Sequence, residues 1–381
     1  MNIEKIQSVR DFKQLARRRL PRIVFDYLEG GTEDERCLAR NHEALDRIAL
    51  LPRYLVDARA TNQKTTLLGR SYDLPFGIAP MGMAGIIRHR ADLHMAQAAA
   101  SAHIPFVLSG VASASIEAAA EVAGANLWIQ IHAARDSDIT RAQIERARTA
   151  GVETLVLTVD VPVTAKRERD IRNGWVRPYR PAAAAVVEAI RHPAWVAGYL
   201  RHGLPFFENW RAYAPPGSTA LGVATYLSTQ VPASPSWADL PHFRDGWSGR
   251  LLLKGILSPE DAIRAKESGI DGLIVSNHGG RQLDTSPTAI AMLPAIRRSV
   301  GPDFPLIFDS GIRRGSDVIK ALASGADFTL VGRAMAYGCA VGGEAGVSRV
   351  IAILRNELHR TQAQIGRPNL QDIDASALSD V

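Results

Sequence analysis

The stretch Gly272–Asp284 reads GLIVSNHGGRQLD and changes character in its middle. Its first half is an apolar run, typical of a parallel strand that is buried on both faces. The second half is polar and contains two adjacent glycines, which let the backbone turn sharply and approach a ligand closely. A strand that ends in this way brings a base, His278, and a cation, Arg281, to one place. The pattern therefore indicates removal of a proton from an anionic substrate.

The same alternation extends over most of the chain from Leu74 onward, where short apolar runs are separated by helix-length patterns. Strict strand–helix alternation predicts parallel strands with crossover helices, and eight such units predict an α/β fold of the (β/α)₈ TIM-barrel type. The predicted strands are Phe76–Met81, Pro105–Ser109, Leu127–His132, Thr154–Asp160, Leu251–Lys254, Gly272–Ser276, Leu306–Asp309 and Phe328–Gly332. The predicted helices are Ala91–Ala102, Ser115–Val122, Ser137–Ala150, Ser258–Ser268, Pro287–Ser299 and Gly315–Ser324.

Nearly every predicted strand ends in a hydrogen-bonding residue, and barrels of this type carry their chemistry at the carboxyl ends of the strands. The last two strand ends combine glycines with arginines. Glycine N–H groups and helix starts bind phosphate, and barrels frequently do so after strands seven and eight. The predicted phosphate site is Gly311, Arg313, Gly332 and Arg333. Two ordinary glycine turns are the alternative interpretation.

We expect one domain over residues 1–381, with a helical N-terminal cover at 1–73 and the barrel at 74–170 and 250–365. Residues 171–249, which we call the insertion, interrupt the alternation after strand four. A loop of this length without a role is uncommon.

Two short helices are predicted in the insertion, Pro181–Arg191 and Ala194–Arg201. Three roles stay open for it: an active-site lid, an interfacial membrane segment, or a subunit contact. The membrane interpretation rests on the apolar and aromatic side chains that accompany its arginines, namely Trp195, Tyr199, Leu200, Leu204, Phe206, Phe207 and Trp210.

Composition narrows the class of protein. The chain has 381 residues, 46% of them hydrophobic, and a net charge of +6. Cys37 and Cys339 form neither a disulfide framework nor a metal-ligand spacing, which favours a reducing cytoplasm and no metal. The arginines are scattered without a basic patch interleaved with aromatics, so we expect no nucleic-acid partner. The N-terminus lacks the apolar core of a signal peptide, and no uncharged stretch is long enough to span a bilayer.

Residues Ser276–Asp284 (SNHGGRQLD) resemble the active-site motif of the FMN-dependent enzymes that oxidise 2-hydroxy acids, a family that includes glycolate oxidase and L-lactate dehydrogenase. The segment Ile23–Gly31 resembles the N-terminal motif of the same family. Within the family, the segments Tyr27–Gly31, Arg201–Gly203 and Arg313–Asp317 are most similar to those of the (S)-mandelate dehydrogenases. The likeness runs from about Tyr27 to Ile365.

The resemblance implies a role for each matching residue. His278 would be the base, with Asp160 stabilising its imidazolium and raising its pKa. Tyr27, Arg167 and Arg281 would bind the substrate carboxylate. Lys254 would lie beside the flavin and stabilise the charge of its reduced form. The other residues expected to bind FMN are Pro80, Met81, Gly82, Ser109, Gln130, Thr158, Ser276, Asp309, Gly311, Arg313, Gly332 and Arg333.

One position departs from the family pattern. His132 stands two residues after Gln130, where the family usually has a tyrosine that reaches the substrate. A histidine is shorter and titrates near neutrality, so substrate preference and pH profile are open. Gly82 and Val111 are small for their positions and indicate a roomy pocket.

The resemblance thus implies FMN-dependent oxidation of an (S)-2-hydroxy acid, mandelate-like or lactate-like, to the 2-oxo acid, with electrons passed to a quinone-type acceptor. The alternatives are an oxidase that forms peroxide from oxygen, or a flavin-binding barrel without turnover. The insertion would attach the protein peripherally to the cytoplasmic face of the inner membrane. A homo-oligomer, specifically a homotetramer, is expected from the family.

Overall fold

The computed structural model describes residues 2–174 and 183–379. Its centre is a closed barrel of eight strands, each hydrogen-bonded in parallel to both neighbours in the barrel. The predicted TIM barrel is confirmed, because each of the eight predicted strands overlaps one of these. The strands are β1 (Phe76–Ile78), β2 (Phe106–Ser109), β3 (Leu127–Ile131), β4 (Thr154–Thr158), β5 (Arg250–Ile256), β6 (Gly272–Val275), β7 (Leu306–Phe308) and β8 (Phe328–Val331).

Helices pack around the barrel, and local sequence explains where several begin. Ser115, Asp136 and Ser258 accept hydrogen bonds from N–H groups of the first turns that follow them, as N-cap residues do. Pro259 occupies the first position of its helix, where its missing N–H has no consequence. The surrounding helices are Ala91–Ser101, Ile116–Ala123, Ser137–Thr149, Pro259–Glu267, Ala289–Val300, Gly315–Ala323 and Arg333–Gln364.

The last of these helices, Arg333–Gln364, is interrupted at Gly343, whose φ of 59° and ψ of −136° are not helical. Within the described residues it is the one helix long and apolar enough to cross a membrane by length and composition. However, 67% of its apolar window is buried inside the protein, which is typical of a core helix. It packs against Val9–Arg19 and Ala91–Ser101.

The N-terminal residues contribute the helices Val9–Arg19, Arg22–Glu29 and Arg36–Arg47 and a hairpin of Thr65–Leu67 with Arg70–Tyr72. Leu67 and Tyr72 of this hairpin pack with Trp128 and Phe328 at the amino end of the barrel. A two-residue strand pair, Ala49–Leu50 with Leu378–Ser379, joins this region to the tail. Short 3₁₀ turns occupy Ile3–Lys5, Ala84–Ile86, Gly124–Asn126, Trp237–Asp239, Leu370–Asp372 and Ala375–Ala377.

The insertion begins within the short helix Glu168–Arg172 and is mainly helical where the structure describes it. Its predicted helices are present as Ala183–Ile190 and Pro193–His202, while Pro181 and Ala182 lie outside the described residues. Trp210 is buried against Ile139 and Val223, and its indole N–H donates to the Gly110 carbonyl at 2.8 Å. The remaining helices of the insertion are Glu208–Arg211, Ala220–Gln230 and Leu240–Asp245. The division into cover, barrel and insertion stays a prediction.

Candidate active site

His278 lies just past the carboxyl end of β6 and contacts Asp160, which follows β4. Its Nδ1 is 3.0 and 3.1 Å from the two carboxylate oxygens of Asp160. An ionised carboxylate only accepts, so Nδ1 carries the proton and Nε2 is the acceptor of the neutral ring. The φ of His278 is 58°, and its N–H donates to Ser276 Oγ at 3.0 Å. The backbone and Asp160 together fix the orientation of the ring.

The pKa of His278 lies below its ordinary value of 6.5, so the expectation of a raised pKa is wrong. Burial is the largest influence and lowers the pKa, because a buried imidazolium loses its hydration. Asp160 raises the pKa, but Lys254 and Arg167 add to the lowering. Burial alone would raise the pKa of Asp160, yet His278 and Lys254 bring it below 3.8. The pair is therefore a carboxylate and a neutral imidazole near neutral pH.

Lys254, in the middle of β5, is buried with 4% of its surface exposed. Its Nζ donates to Ser276 Oγ at 2.8 Å and lies 3.2 Å from Asp309 Oδ2. Burial lowers its pKa, but Asp309 and Asp160 outweigh burial and raise the pKa above its ordinary value. Lys254 is thus a fixed cation on the barrel wall. Ser276 connects it to the backbone of His278.

Gln130, in β3, provides a buried amide whose NH₂ group is unused within the described residues. Its Oε1 accepts from Ser109 Oγ at 3.1 Å and from the Gly110 N–H at 3.3 Å. Its Nε2 is buried and has no hydrogen-bond partner in the described part of the chain. Such a group is costly unless a ligand satisfies it. Thr158, at the end of β4, is buried and pairs in register with Lys254.

His132 and Arg167 lie in the same charged neighbourhood. Burial is the main cause that lowers the pKa of His132 to about 4, and the nearby His278 and Lys254 lower it further. His132 is therefore neutral at physiological pH. Burial also lowers the pKa of Arg167, to about 10, which still leaves it charged. Arg167 Nη2 donates to Gln282 Oε1 at 3.3 Å, whereas its buried Nε has no partner among the described residues.

Tyr27 and Arg281 meet across the mouth of the barrel. The guanidinium carbon of Arg281 lies 5.1 Å from the centre of the Tyr27 ring. Arg281 Nη1 donates to the carbonyl oxygens of Tyr27 and Gly30, at 2.9 and 2.6 Å. The Tyr27 hydroxyl donates to the Gly82 carbonyl at 3.3 Å. The N-terminal helix Arg22–Glu29 thereby brings a phenol beside a guanidinium.

The segment after β1, formed by Pro80, Met81 and Gly82, is half-buried. A Cβ atom at Gly82 would lie 2.6 Å from Val111 Cγ2, which is too close for the backbone as it stands. The Met83 N–H also donates to the Val111 carbonyl at 2.9 Å. The two small residues therefore pack on each other, and their sizes are interdependent.

Arg333 and Arg313, at the predicted phosphate site, have different contacts. Arg333 donates from Nε to the Leu28 carbonyl and from Nη1 to the Gly279 carbonyl, each at 2.9 Å. Burial lowers its pKa to about 10. Arg313 instead lies 5.6 Å over the ring of Tyr337. Both arginines are thus held by protein groups at the end of the barrel where β7 and β8 finish.

The backbone of the same region is tightly constrained. Gly311 has a φ of 112°, and a Cβ there would lie 2.9 Å from Leu45 Cδ1. Asp317 Oδ2 accepts from the Arg313 N–H at 2.8 Å. Gly332 is the N-cap residue of the helix that follows β8. Only glycine suits position 311, because the conformation and the space both exclude a side chain.

Two contributors to the site were missed from the sequence. Gly255, with a φ of 108°, lies where a Cβ would come within 2.4 Å of Asp160 Cβ. Ser310 Oγ accepts from the N–H groups of Asn277 and Gly279 and donates to Asp309 Oδ1 at 2.8 Å. The glycine beside Lys254 and the serine beside Asp309 were visible as small residues at strand ends. Their partners lie on other strands, so no local signal marked them.

Comparison with known proteins identifies the family. A model of the FMN-dependent dehydrogenases matches residues 16–380. An (S)-mandelate dehydrogenase from Pseudomonas putida is 39% identical over 377 residues, covering 99% of this chain and 95% of that protein. This chain belongs to the FMN-dependent dehydrogenase family. An L-lactate dehydrogenase from Caulobacter vibrioides (strain NA1000 / CB15N) is 39% identical over 378 residues, 98% of either chain. A crystal structure of a monotopic membrane protein, (S)-mandelate dehydrogenase, agrees with a TM-score of 0.95 at 39% identity and covers 99% of this chain and 100% of that one.

The predicted family and cofactor are thereby confirmed, and the site fits FMN. The buried Gln130 Nε2 is a donor that a flavin ring acceptor would satisfy. The Lys254 cation suits a ring that becomes electron-rich. Glycines and arginines follow β7 and β8, where barrels of this type bind phosphate. The chain is therefore an FMN-dependent dehydrogenase, a class of oxidoreductase.

Proposed function

We propose that this FMN-dependent dehydrogenase oxidises an (S)-2-hydroxy acid, mandelate-like or lactate-like, to the corresponding 2-oxo acid. The observation that carries the proposal is the His278–Asp160 pair, whose 3.0 Å contact leaves Nε2 of a neutral imidazole as the acceptor. His278 takes a proton from the substrate, and Asp160 stabilises the imidazolium that forms. When bound, FMN accepts the two electrons of the oxidation.

The substrate carboxylate binds to Arg281, Arg167 and Tyr27. A guanidinium fork matches a carboxylate, and the free Nε of Arg167 offers a further donor within the described structure. His132, being neutral, contributes a hydrogen bond to the substrate rather than a charge. The contact between Gly82 and Val111 keeps both residues small beside Tyr27.

We assign the binding of FMN to three groups of residues. Pro80, Met81 and Gly82 bind it through their backbone. Ser109, Gln130, Thr158, Ser276 and Lys254 hold its ring system, with the charge of Lys254 favouring the reduced form. Asp309, Gly311, Arg313, Gly332 and Arg333 bind the ribityl chain and the phosphate.

The electron acceptor is a membrane quinone, and the insertion attaches the protein to the cytoplasmic face of the inner membrane. Support comes from the exposed apolar side chains of the insertion, Val187, Ile190, Leu200 and Leu204, which are 59–83% exposed. Arg191 and Arg201 are exposed beside them and suit anionic lipid.

Four of the five aromatic side chains expected at this surface, those of Trp195, Tyr199, Phe207 and Trp210, face the protein instead. Trp195 Nε1 donates to the Ile86 carbonyl at 2.9 Å, and the Tyr199 hydroxyl donates to the Gly85 carbonyl at 2.7 Å. Trp210 and Phe207 are buried. The aliphatic residues therefore form the proposed membrane surface. The double change Leu200→Ser with Leu204→Ser should release the protein from anionic vesicles in a flotation assay, and unchanged flotation would contradict this assignment.

We also propose that the protein forms a homo-oligomer, and the resemblance to the family indicates a homotetramer. The stretch Leu51–Val56 exposes the apolar side chains of Leu51, Tyr54, Leu55 and Val56, between 41% and fully exposed. Contiguous apolar surface of this kind marks interaction sites. Light scattering on the purified protein would contradict the proposal if it gave the mass of a monomer.

The decisive experiment is anaerobic. The purified protein is mixed separately with (S)-mandelate and L-lactate while the visible flavin spectrum is recorded. Bleaching by either acid supports the reaction, and the preferred acid defines the pocket. Re-oxidation by oxygen at catalytic rates would favour a peroxide-forming oxidase over a dehydrogenase. A flavin that neither acid bleaches would contradict the proposal.

A further inference from the structure

The insertion contacts the N-terminal helix Arg22–Glu29 through Glu188. The Arg22 N–H donates to both carboxylate oxygens of Glu188, each at 2.8 Å. Pro21, at the N-cap position of this helix, provides no side-chain acceptor. Glu188 therefore caps this helix: its carboxylate accepts from the Arg22 N–H, as the side chain of an N-cap residue does in other helices. Its negative charge is also favourable near a helix N-terminus. It does so from a segment more than 150 residues away in the chain.

The same helix brings together groups of the substrate site. It carries Tyr27, and the Tyr27 carbonyl accepts from Arg281 Nη1 at 2.9 Å. The Leu28 carbonyl accepts at 2.9 Å from Arg333, which we assign to the FMN phosphate. A displacement of the helix along its axis would move the phenol and the acceptors that orient these guanidinium groups. Lys254 lies on β5 and His278 just past β6, and neither has a hydrogen bond to this helix among the described residues. The helix therefore acts on carboxylate binding and leaves the proton-accepting pair in place.

We propose that Glu188 is a positioning residue for the substrate carboxylate, acting from the insertion through the N-terminal helix. The inference rests on the proposed function, because it takes Tyr27 and Arg281 as the carboxylate site. Val187 and Ile190 flank Glu188 on the helix Ala183–Ile190 and are exposed at the proposed membrane surface. The segment that binds the membrane is thus the segment that fixes the substrate helix.

The test compares Glu188→Ala, Glu188→Gln and Glu267→Ala in the full-length holoenzyme. Glu267 is an exposed glutamate on a surface helix, and its side chain has no hydrogen bond or ion pair among the described residues, which makes it a matched control. Loss of a helix cap that binds the backbone should raise KM for the hydroxy acid by about 3- to 10-fold in Glu188→Ala. The kcat should stay within about twofold, since only uniform binding is weakened. Glu188→Gln keeps a carbonyl oxygen for the Arg22 N–H and should restore KM, and Glu267→Ala should match the wild type.

A second readout separates this inference from the proposed reaction. Oxalate, a dicarboxylate that is not oxidised, is titrated against the flavin spectrum, and its Kd should rise in Glu188→Ala by the same factor as KM. An unchanged KM and oxalate Kd in a folded, FMN-loaded Glu188→Ala would overturn the inference. A parallel loss of kcat and bound FMN would also overturn it, since that result indicates a merely structural contact. If the wild type oxidises no hydroxy acid but its oxalate Kd responds to Glu188→Ala, the proposed reaction fails and the positioning role stands.

Discussion

Replacing Asp160 by asparagine tests the proposed base most directly. The change removes the negative charge that lies 3.0 Å from His278 Nδ1 but keeps the size of the side chain. An amide also has a donor, so it no longer selects the tautomer with the proton on Nδ1. Both effects reduce the ability of Nε2 to accept a proton from the substrate.

The distance sets the scale of the effect. Two unit charges 3.0 Å apart interact by ~5 kcal/mol at an effective dielectric constant of 20, before the cost of desolvating the carboxylate. Since each 1.36 kcal/mol is tenfold in rate, a net loss of about 3–5 kcal/mol corresponds to ~10²–10⁴-fold slower flavin reduction. A loss of up to ~10⁴-fold is also the consequence of the same substitution in the serine-protease triad.

The pH dependence of flavin reduction tests the direction in which Asp160 shifts the His278 pKa. The rate requires neutral His278, so it falls as the pH drops through the His278 pKa, which lies below 6.5. Asp160 is the partner that raises this pKa, while burial, Lys254 and Arg167 lower it. The substitution should therefore move the acidic limb of the profile to lower pH while it lowers the plateau.

The assay is anaerobic stopped-flow reduction of the bound flavin by (S)-mandelate between pH 4.5 and 9. The control is Asp271→Asn, in which the carboxylate at the opposite end of the barrel is changed; Asp271 Oδ2 accepts from the Leu251 N–H at 2.8 Å and contacts Arg244. That variant should be less stable to unfolding but should keep the wild-type rate of flavin reduction and its pH profile. Wild-type reduction rates in Asp160→Asn, or an acidic limb shifted to higher pH, would refute the assigned role of the carboxylate.

Three further changes test other parts of the site. Arg281→Lys should raise KM by about 10- to 100-fold in steady-state assays, because an ammonium group lacks the fork that matches a carboxylate; an unchanged KM would exclude Arg281 from the carboxylate site. Gly255→Ala should lower the free energy of unfolding by about 1–3 kcal/mol, since its Cβ would collide with Asp160, whereas Gly151→Ala, also at positive φ but in open space, should cost less in the same denaturant titration. Gln130→Leu should weaken FMN binding by about tenfold in a flavin fluorescence titration, because it removes the donor that the ring would use; equal affinity would place the ring elsewhere.

The barrel could be predicted because its signals are local. A buried parallel strand appears in the sequence as an uninterrupted apolar run. Eight strand–helix units in succession are typical of a closed (β/α)₈ barrel. The same reasoning predicted where the candidate site lies, since the carboxyl ends of all strands of a closed barrel meet at one rim. His278 could be named from its place after the apolar run of β6, whereas the roles of Lys254 and Gln130 were implied by the family resemblance. In the structure, Ser276 connects Lys254 to the backbone of His278.

The direction in which the His278 pKa is shifted could not be predicted in the same way. The sequence offered one partner, Asp160, and one carboxylate alone raises a histidine pKa. Burial and two neighbouring cations, Lys254 and Arg167, reverse the result, and all three depend on the packing of separate strands. The contact of Glu188 with Arg22 was hidden for a similar reason, because no sequence pattern relates an insertion helix to the start of another helix.

The lowered pKa of His278 couples the binding of the proposed substrate to the strength of the base. Burial lowers the pKa of both His278 and His132, and the nearby cations Lys254 and Arg167 lower both further, so both rings stay neutral. A substrate carboxylate that enters this site compensates part of the positive charge. By the same electrostatics the pKa of His278 then rises, so binding of the anion strengthens the base that must accept its proton. His132, whose pKa is about 4, stays neutral near neutral pH and contributes no charge to this response. The acidic limb of kcat, which reports the complex with substrate, should therefore lie at higher pH than the acidic limb of kcat/KM, which reports the free enzyme; coincident limbs would contradict the coupling.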